Sequence, residues 1–370
     1  MRRERQVGVL TQPIREFHEL GQSLWIDNIT RTMLDDGTIE RYIDELSVTG
    51  LTSNPTIFDN AIGAGDAYDD QVAELRAKGL EAEQLFFELA LTDLRRAAKL
   101  FEPINERTDG VDGWVSLEVS PLLADDAKAT IAQVKDLHSR ADCNIFIKIP
   151  GTDAGLTAIE ESIFAGTPVN VTLLFSTDQY QAAAEAYMRG LERRIEAGQS
   201  PEVPSVASLF ISRWDRAVME EAPDELRDQL GIAVAKQAYR AYRELLDTDR
   251  WQRLANEGAR PQRLLWASTG TKDPEASDVL YVEALAAPFT VNTMPDKTLL
   301  AFSEHGRVRD PLPADGGDAD EVLARFGDAG IDVGALAKRL QEEGKKSFDD
   351  SWKELLGTIA SKGEKLAASA

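Results

Sequence analysis

The chain has 370 residues, 43% hydrophobic and 28% charged, the composition of a soluble globular protein with room for a large core. Its net charge of −23 argues against general binding to nucleic acid or anionic membrane, since both require basic surface. The single cysteine, Cys143, excludes an intramolecular disulfide and points to a reducing, cytoplasmic compartment.

In chain order, Met1-Arg2-Arg3-Glu4-Arg5 is followed by no apolar signal region, and no later run approaches the roughly 20 apolar residues of a membrane span. Short β-prone segments then recur at 23–29, 49–54, 111–119, 144–149, 169–175, 205–211, 263–269 and 289–294. Helical text separates them. After the fourth segment, Thr152 offers an N-cap for a helix holding Leu156, Ile159 and Ile163. After the fifth, Tyr180, Ala184, Tyr187, Leu191 and Ile195 share one face, with Ser176 or Thr177 as cap and Gly198 as stop. The connections after the second and sixth segments are long enough for extra helices. A Pro/Gly/Asp loop over 311–318 leads to tail helices at 319–326, 333–344 and 348–362. Eight strands alternating with helices predict parallel βα units closed into a (β/α)8 barrel, with an open doubly wound sheet as the alternative. The whole chain, 1–370, reads as one domain, with a barrel core over 21–306 and a helical extension over 307–370.

Lys148 stands out within Asn144-Ile145-Phe146-Ile147-Lys148-Ile149-Pro150, a lone cation in an apolar strand. It must find a counter-charge, reach solvent or give up its proton, and a neutral amine is the nucleophile that Schiff-base chemistry requires. Strand alternation turns Asn144, Phe146 and Lys148 inward together, and likewise Asn170 and Thr172. Polar residues fall late in every strand: Asp27, Asn54, Glu118, Lys148, Asn170 with Thr172, Ser208, Ser268 and Asn292. Burying so many polar groups is costly unless they face one wet cavity, as the mouth of an enzyme barrel provides. His18, His138 and His305 show no metal-ligand spacing, so no metal is expected.

Six motifs in order carry a family resemblance. Leu51-Thr52-Ser53-Asn54-Pro55-Thr56-Ile57-Phe58, Phe146-Ile147-Lys148-Ile149-Pro150-Gly151-Thr152 and Asn170-Val171-Thr172-Leu173-Leu174-Phe175-Ser176 resemble three strands of the transaldolases. Ser208-Leu209-Phe210-Ile211-Ser212-Arg213, Trp266-Ala267-Ser268-Thr269-Gly270-Thr271-Lys272 and Thr290-Val291-Asn292-Thr293-Met294-Pro295 continue it. The text after Gly330 resembles the tail of the longer bacterial branch. The resemblance implies a circularly permuted class I aldolase barrel with its lysine on the fourth strand. It implies transfer of a dihydroxyacetone unit from sedoheptulose 7-phosphate or fructose 6-phosphate to an aldose phosphate, in the non-oxidative pentose phosphate pathway, without a cofactor. Lys148 would form the imine, Asp27 would act as general base on the C4 hydroxyl, and Glu118 would shuttle protons through a water held by Thr172. Asn54 and Asn170 would bind the dihydroxyacetone hydroxyls.

The same resemblance makes Ser208 and Arg213 phosphate contacts. An arginine usual after the seventh strand is missing, and Lys272 is the nearest cation, able to hold phosphate as a point charge. Phe210 and Ser268 complete the expected substrate surface. Cys143 reads as a buried small hydrophobe. The tail helices could cover the mouth or simply pack on the barrel. A fructose-6-phosphate aldolase-like lyase is the nearest alternative; that subgroup is shorter, with Gln and Tyr at the positions of Glu118 and Phe210. A phosphosugar-binding barrel without turnover and a pyridoxal phosphate-binding lysine are further alternatives. Expected partners are small sugar phosphates, neither nucleic acid nor membrane, with oligomeric state open between monomer and homodimer.

Overall fold

The computed structural model describes residues 10–308 and 310–369, so the stretch 1–5 considered for a signal region lies outside the described residues. Helix α1 (Gln12–Leu20) precedes β1 (Ser23–Ile26), α2 (Arg31–Asp35), α3 (Thr38–Leu46) and β2 (Val48–Thr52). Then come α4 (Pro55–Ala64), α5 (Asp69–Ala77), α6 (Ala82–Arg107), β3 (Trp114–Glu118), α7 (Ala127–Ala141), β4 (Ile145–Pro150) and α8 (Asp153–Phe164). The second half runs β5 (Val169–Leu174), α9 (Thr177–Glu196), β6 (Ser205–Phe210), α10 (Ser212–Val218), α11 (Leu230–Leu246), α12 (Asp249–Asn256) and β7 (Arg263–Ala267). It ends with α13 (Leu280–Ala284), β8 (Val291–Met294), α14 (Asp296–His305), α15 (Ala319–Asp328) and α16 (Val333–Ser369).

All eight strands are parallel, and β8 pairs back onto β1 with Trp25 opposite Thr293, which closes the barrel in the order β1 to β8. Closure leaves no sheet edge to protect. The expected helix signals operate locally. Thr152 Oγ1 accepts the Gly155 N–H at the start of α8, and Ser176 with Gln179 forms a capping box on α9. Inside the barrel Phe146 stacks against Trp114 and Trp25, with ring centroids 4.5 and 6.1 Å apart. Gly50 makes room for that layer, because a Cβ there would lie 2.6 Å from the Trp25 ring. The aromatic layer plugs the barrel below and leaves the strand ends above it free to build a site.

The structure alters three expectations. Helices α2 and α3 fill the connection after β1, in addition to the extra helices foreseen after β2 and β6. Strands β3 and β8 begin later than expected, at Trp114 and Val291, because Gly113 and Phe289 adopt positive φ and turn the chain first. The last two tail helices are one helix of 37 residues, α16. Gly344, which reads as a helix stop, serves close approach instead. A Cβ on it would lie 3.1 Å from Leu173 Cδ2 and 3.2 Å from Arg213 Nη1.

Helix α16 crosses the face where the strands end. Gln341 bonds the Gly151 and Leu173 carbonyls, Ser351 meets Thr56, and Trp352 buries its ring against Phe86 and Phe87. Farther along, Lys362 pairs with Asp69 at 2.6 Å. Among the described residues no helix is long and apolar enough to cross a membrane.

Candidate active site

A cavity of about 760 Å³ opens at the C-terminal ends of the strands, under α16. Lys148 sits at its base. Register places Lys148 beside Glu118 on β3, and its Nζ lies 3.0 Å from Glu118 Oε2 and donates to Ser53 O at 3.1 Å. Both side chains are buried. The lysine thus finds a counter-charge. Burial raises the Glu118 carboxyl above its ordinary range, and the Lys148 ammonium opposes that rise.

Asp27 follows β1 directly, with its backbone N–H held by Met294 O at 2.8 Å. Thr52 Oγ1 donates to its carboxylate at 3.1 Å. Burial pushes Asp27 upward as well, against the pull of Lys148 and the Thr52 and Asn54 side chains. Asn54 caps α4 by accepting the Ile57 N–H and lines the cavity. Thr172 lines it too, and its buried hydroxyl has no hydrogen-bond partner among the described residues. That hydroxyl is available to a water or a substrate.

Asn170 is fully buried and accepts from Ser208 Oγ at 2.7 Å. Arg213 lies over the Phe210 ring, 4.9 Å from its centroid, and pairs with no carboxylate among the described residues. A guanidinium left without a counter-ion inside a cavity is suited to an anionic ligand. Lys272 reaches the cavity from the loop after β7, exposed and likewise without an ion-pair partner among the described residues. Ser268 adopts φ of 57° and its hydroxyl meets that of Ser212 at 2.9 Å.

Asp27, Asn54, Lys148, Thr172, Ser208, Phe210, Arg213, Ser268 and Lys272 therefore share one cavity wall. Glu118 and Asn170 stand just behind it, reached through Lys148 and Ser208. One inward residue expected on β8 is corrected. Thr293, which bonds Thr52 at 3.0 Å, lines the cavity, whereas Asn292 accepts from Thr269 at the wall. Both residues are polar, so side-chain chemistry could not set the parity; pairing with β1 does.

Sequence reasoning also missed Asn28, Asp296, Lys297, Ser347 and Phe348, all on the cavity wall. The Phe348 ring centroid is 6.0 Å from Lys148 Nζ and 5.9 Å from Arg213 Cζ. Nothing in the local text of α16 marks it, because its partners lie on β4 and α10, far away in the chain. No cluster of three or more potential metal ligands occurs among the described residues. Cys143, expected to be buried, is only partly so, packing against the edge of the core, and its desolvation pushes the thiol up to about 11.

Residues 24–359 match the sequence model of the family described as Transaldolase/Fructose-6-phosphate aldolase. The chain belongs to this family. Proteins named transaldolase are similar over nearly the full length. One from Parafrankia sp. (strain EAN1pec) is 42% identical over 95% of this chain and 98% of its own. One from Thiobacillus denitrificans is 44% identical over 93% of this chain and 99% of its own. One from Mycobacterium tuberculosis (strain H37Rv) is 44% identical over 91% and 93%. The transaldolase/fructose-6-phosphate aldolase match extends into α16 as far as residue 359, so the part of that helix over the cavity falls within the matched region.

Proposed function

We propose that this chain is a transaldolase, a transferase that moves a dihydroxyacetone unit from a ketose phosphate to an aldose phosphate through an imine on Lys148. The observation that carries this reading is Lys148 at the base of a cavity, paired with Glu118 and facing Asp27, in a chain of this family. The Lys148 ammonium first gives a proton to the Glu118 carboxylate beside it, and the neutral amine then attacks the ketose carbonyl carbon, whose oxygen takes up a proton to give a carbinolamine. Glu118, whose carboxyl burial raises and the Lys148 ammonium lowers, holds that proton and returns it by way of a water at Thr172. The carbinolamine hydroxyl leaves as water while the nitrogen lone pair closes the C=N bond.

Asp27 then removes the C4 hydroxyl proton. The C3–C4 bond breaks, its electron pair flows into the protonated imine, and the aldose phosphate departs, leaving an enamine on Lys148. An acceptor aldehyde reverses these steps, with Asp27 returning the proton. Two carboxylates with different neighbours can hold the two protonation states this cycle needs. Asn54 and Asn170 bind the three-carbon hydroxyls, and Ser208, Phe210 and Ser268 shape the channel. Arg213 and Lys272 hold the phosphate, locally reversing the field of a chain with net charge −23. The chain acts as one folding unit on small sugar phosphates in the cytoplasm.

Borohydride reduction in the presence of fructose 6-phosphate should fix a three-carbon or ketose adduct on Lys148, located by peptide mapping. Lys148→Ala should lose both label and turnover. Erythrose 4-phosphate should be required for rapid consumption of fructose 6-phosphate. Rapid dihydroxyacetone release without acceptor would instead establish the lyase activity.

A further inference from the structure

Gln341 reaches from α16 onto the ends of two strands at once. Its Nε2 donates to Gly151 O and to Leu173 O, each at 3.0 Å. Both partners are carbonyls, so the amide nitrogen, with its two hydrogens, faces them and the amide oxygen does not. Gly151 follows β4 three residues after Lys148, and Leu173 directly follows Thr172 in β5.

Leu173 is the irregular point of its strand. Its φ is +60°, in the left-handed region that side-chain-bearing residues rarely enter, and the β5–β6 register slips between Val171 and Leu174. Such backbone persists where surrounding contacts hold it. Helix α16 provides them, with the Leu173 side chain seated under Gly344 and the carbonyl taken by Gln341. The adjoining Thr172 hydroxyl is the buried, unpartnered group on the cavity wall.

We propose that Gln341 is a positioning residue for imine formation. It clamps the ends of β4 and β5 so that the Thr172 hydroxyl is held toward the water released when the carbinolamine collapses to the imine. This rests on the reading of Lys148 as the imine-forming amine.

The test is timed borohydride quenching of the full chain mixed with fructose 6-phosphate, following label on Lys148 by mass. Gln341→Leu should slow label formation about tenfold, the scale of a lost donor in a preorganised site. The final labelled fraction and the KM for fructose 6-phosphate should stay near wild type. Gln341→Glu, which keeps the shape but has no donors to offer, should slow the same step and serves if the leucine variant does not fold. An unchanged labelling rate, or a reduced labelled fraction at normal rate, overturns the proposal and leaves Gln341 as packing. Absence of label on wild-type Lys148 would instead overturn the proposed function.

Discussion

Asp27 and Glu118 both feel Lys148, yet their immediate partners differ. Glu118 faces the ammonium itself at 3.0 Å, whereas Asp27 takes a hydroxyl from Thr52. Burial raises both carboxyls. If Asp27 is the base that accepts the C4 proton, as proposed, it must be ionised, and the acid limb of kcat/KM should lie above the ordinary aspartate value of 3.8. A pH–rate profile checks this, and Asp27→Asn should lower kcat at least 10²-fold at every pH. Most of this site could be read from the sequence, because a charged residue at a strand end violates the apolar pattern around it. Thr293 and Lys297 could not. The first depended on strand parity and the second on the way α14 starts beside the mouth, neither of which residue type encodes.

At the scale of elements, the barrel was readable and the cover was not. Alternation and caps mark the βα units locally, whereas α16 is defined by contacts to β5, α4, α5 and α6, far away in the chain. Gly344 misleads for a physical reason. Glycine weakens a helix locally, and here it is retained to let α16 approach Leu173 and Arg213. Gly344→Val should therefore lift the helix and displace the Arg213 guanidinium. The expected result is a KM for fructose 6-phosphate raised about tenfold with a smaller change in kcat, as measured by steady-state kinetics. Equal loss in both constants would mean that the catalytic base had moved as well.

For the whole molecule, pH acts on stability through buried carboxyls away from the cavity. Asp215, on α10, is buried and accepts from the Leu230 and Gly231 N–H groups and the Tyr281 hydroxyl. Burial nonetheless raises it from 3.8 to about 6. The folded chain then holds a proton there that the unfolded chain has released, so this contribution is present below pH 4 and is lost as pH rises through about 6. The loss is on the order of 3 kcal/mol at 1.36 kcal/mol per pH unit. Between pH 4 and 7 the unfolding free energy of wild type should fall relative to that of Asp215→Asn by up to this amount. Denaturant titrations of both proteins measure it, and a constant difference would show that Asp215 is ionised throughout.

The path of α16 also bears on how the enzyme comes into being. Residues 341–352, which roof the cavity and clamp two strand ends, are synthesised after all eight strands. Because chains begin to fold from the N-terminal side during synthesis, the barrel can close around Lys148 before its roof exists. A ribosome-bound intermediate of this kind would carry Lys148 in an uncovered bowl, so on the proposed mechanism competence for retaining the three-carbon unit arrives in a late maturation step, distinct from barrel closure.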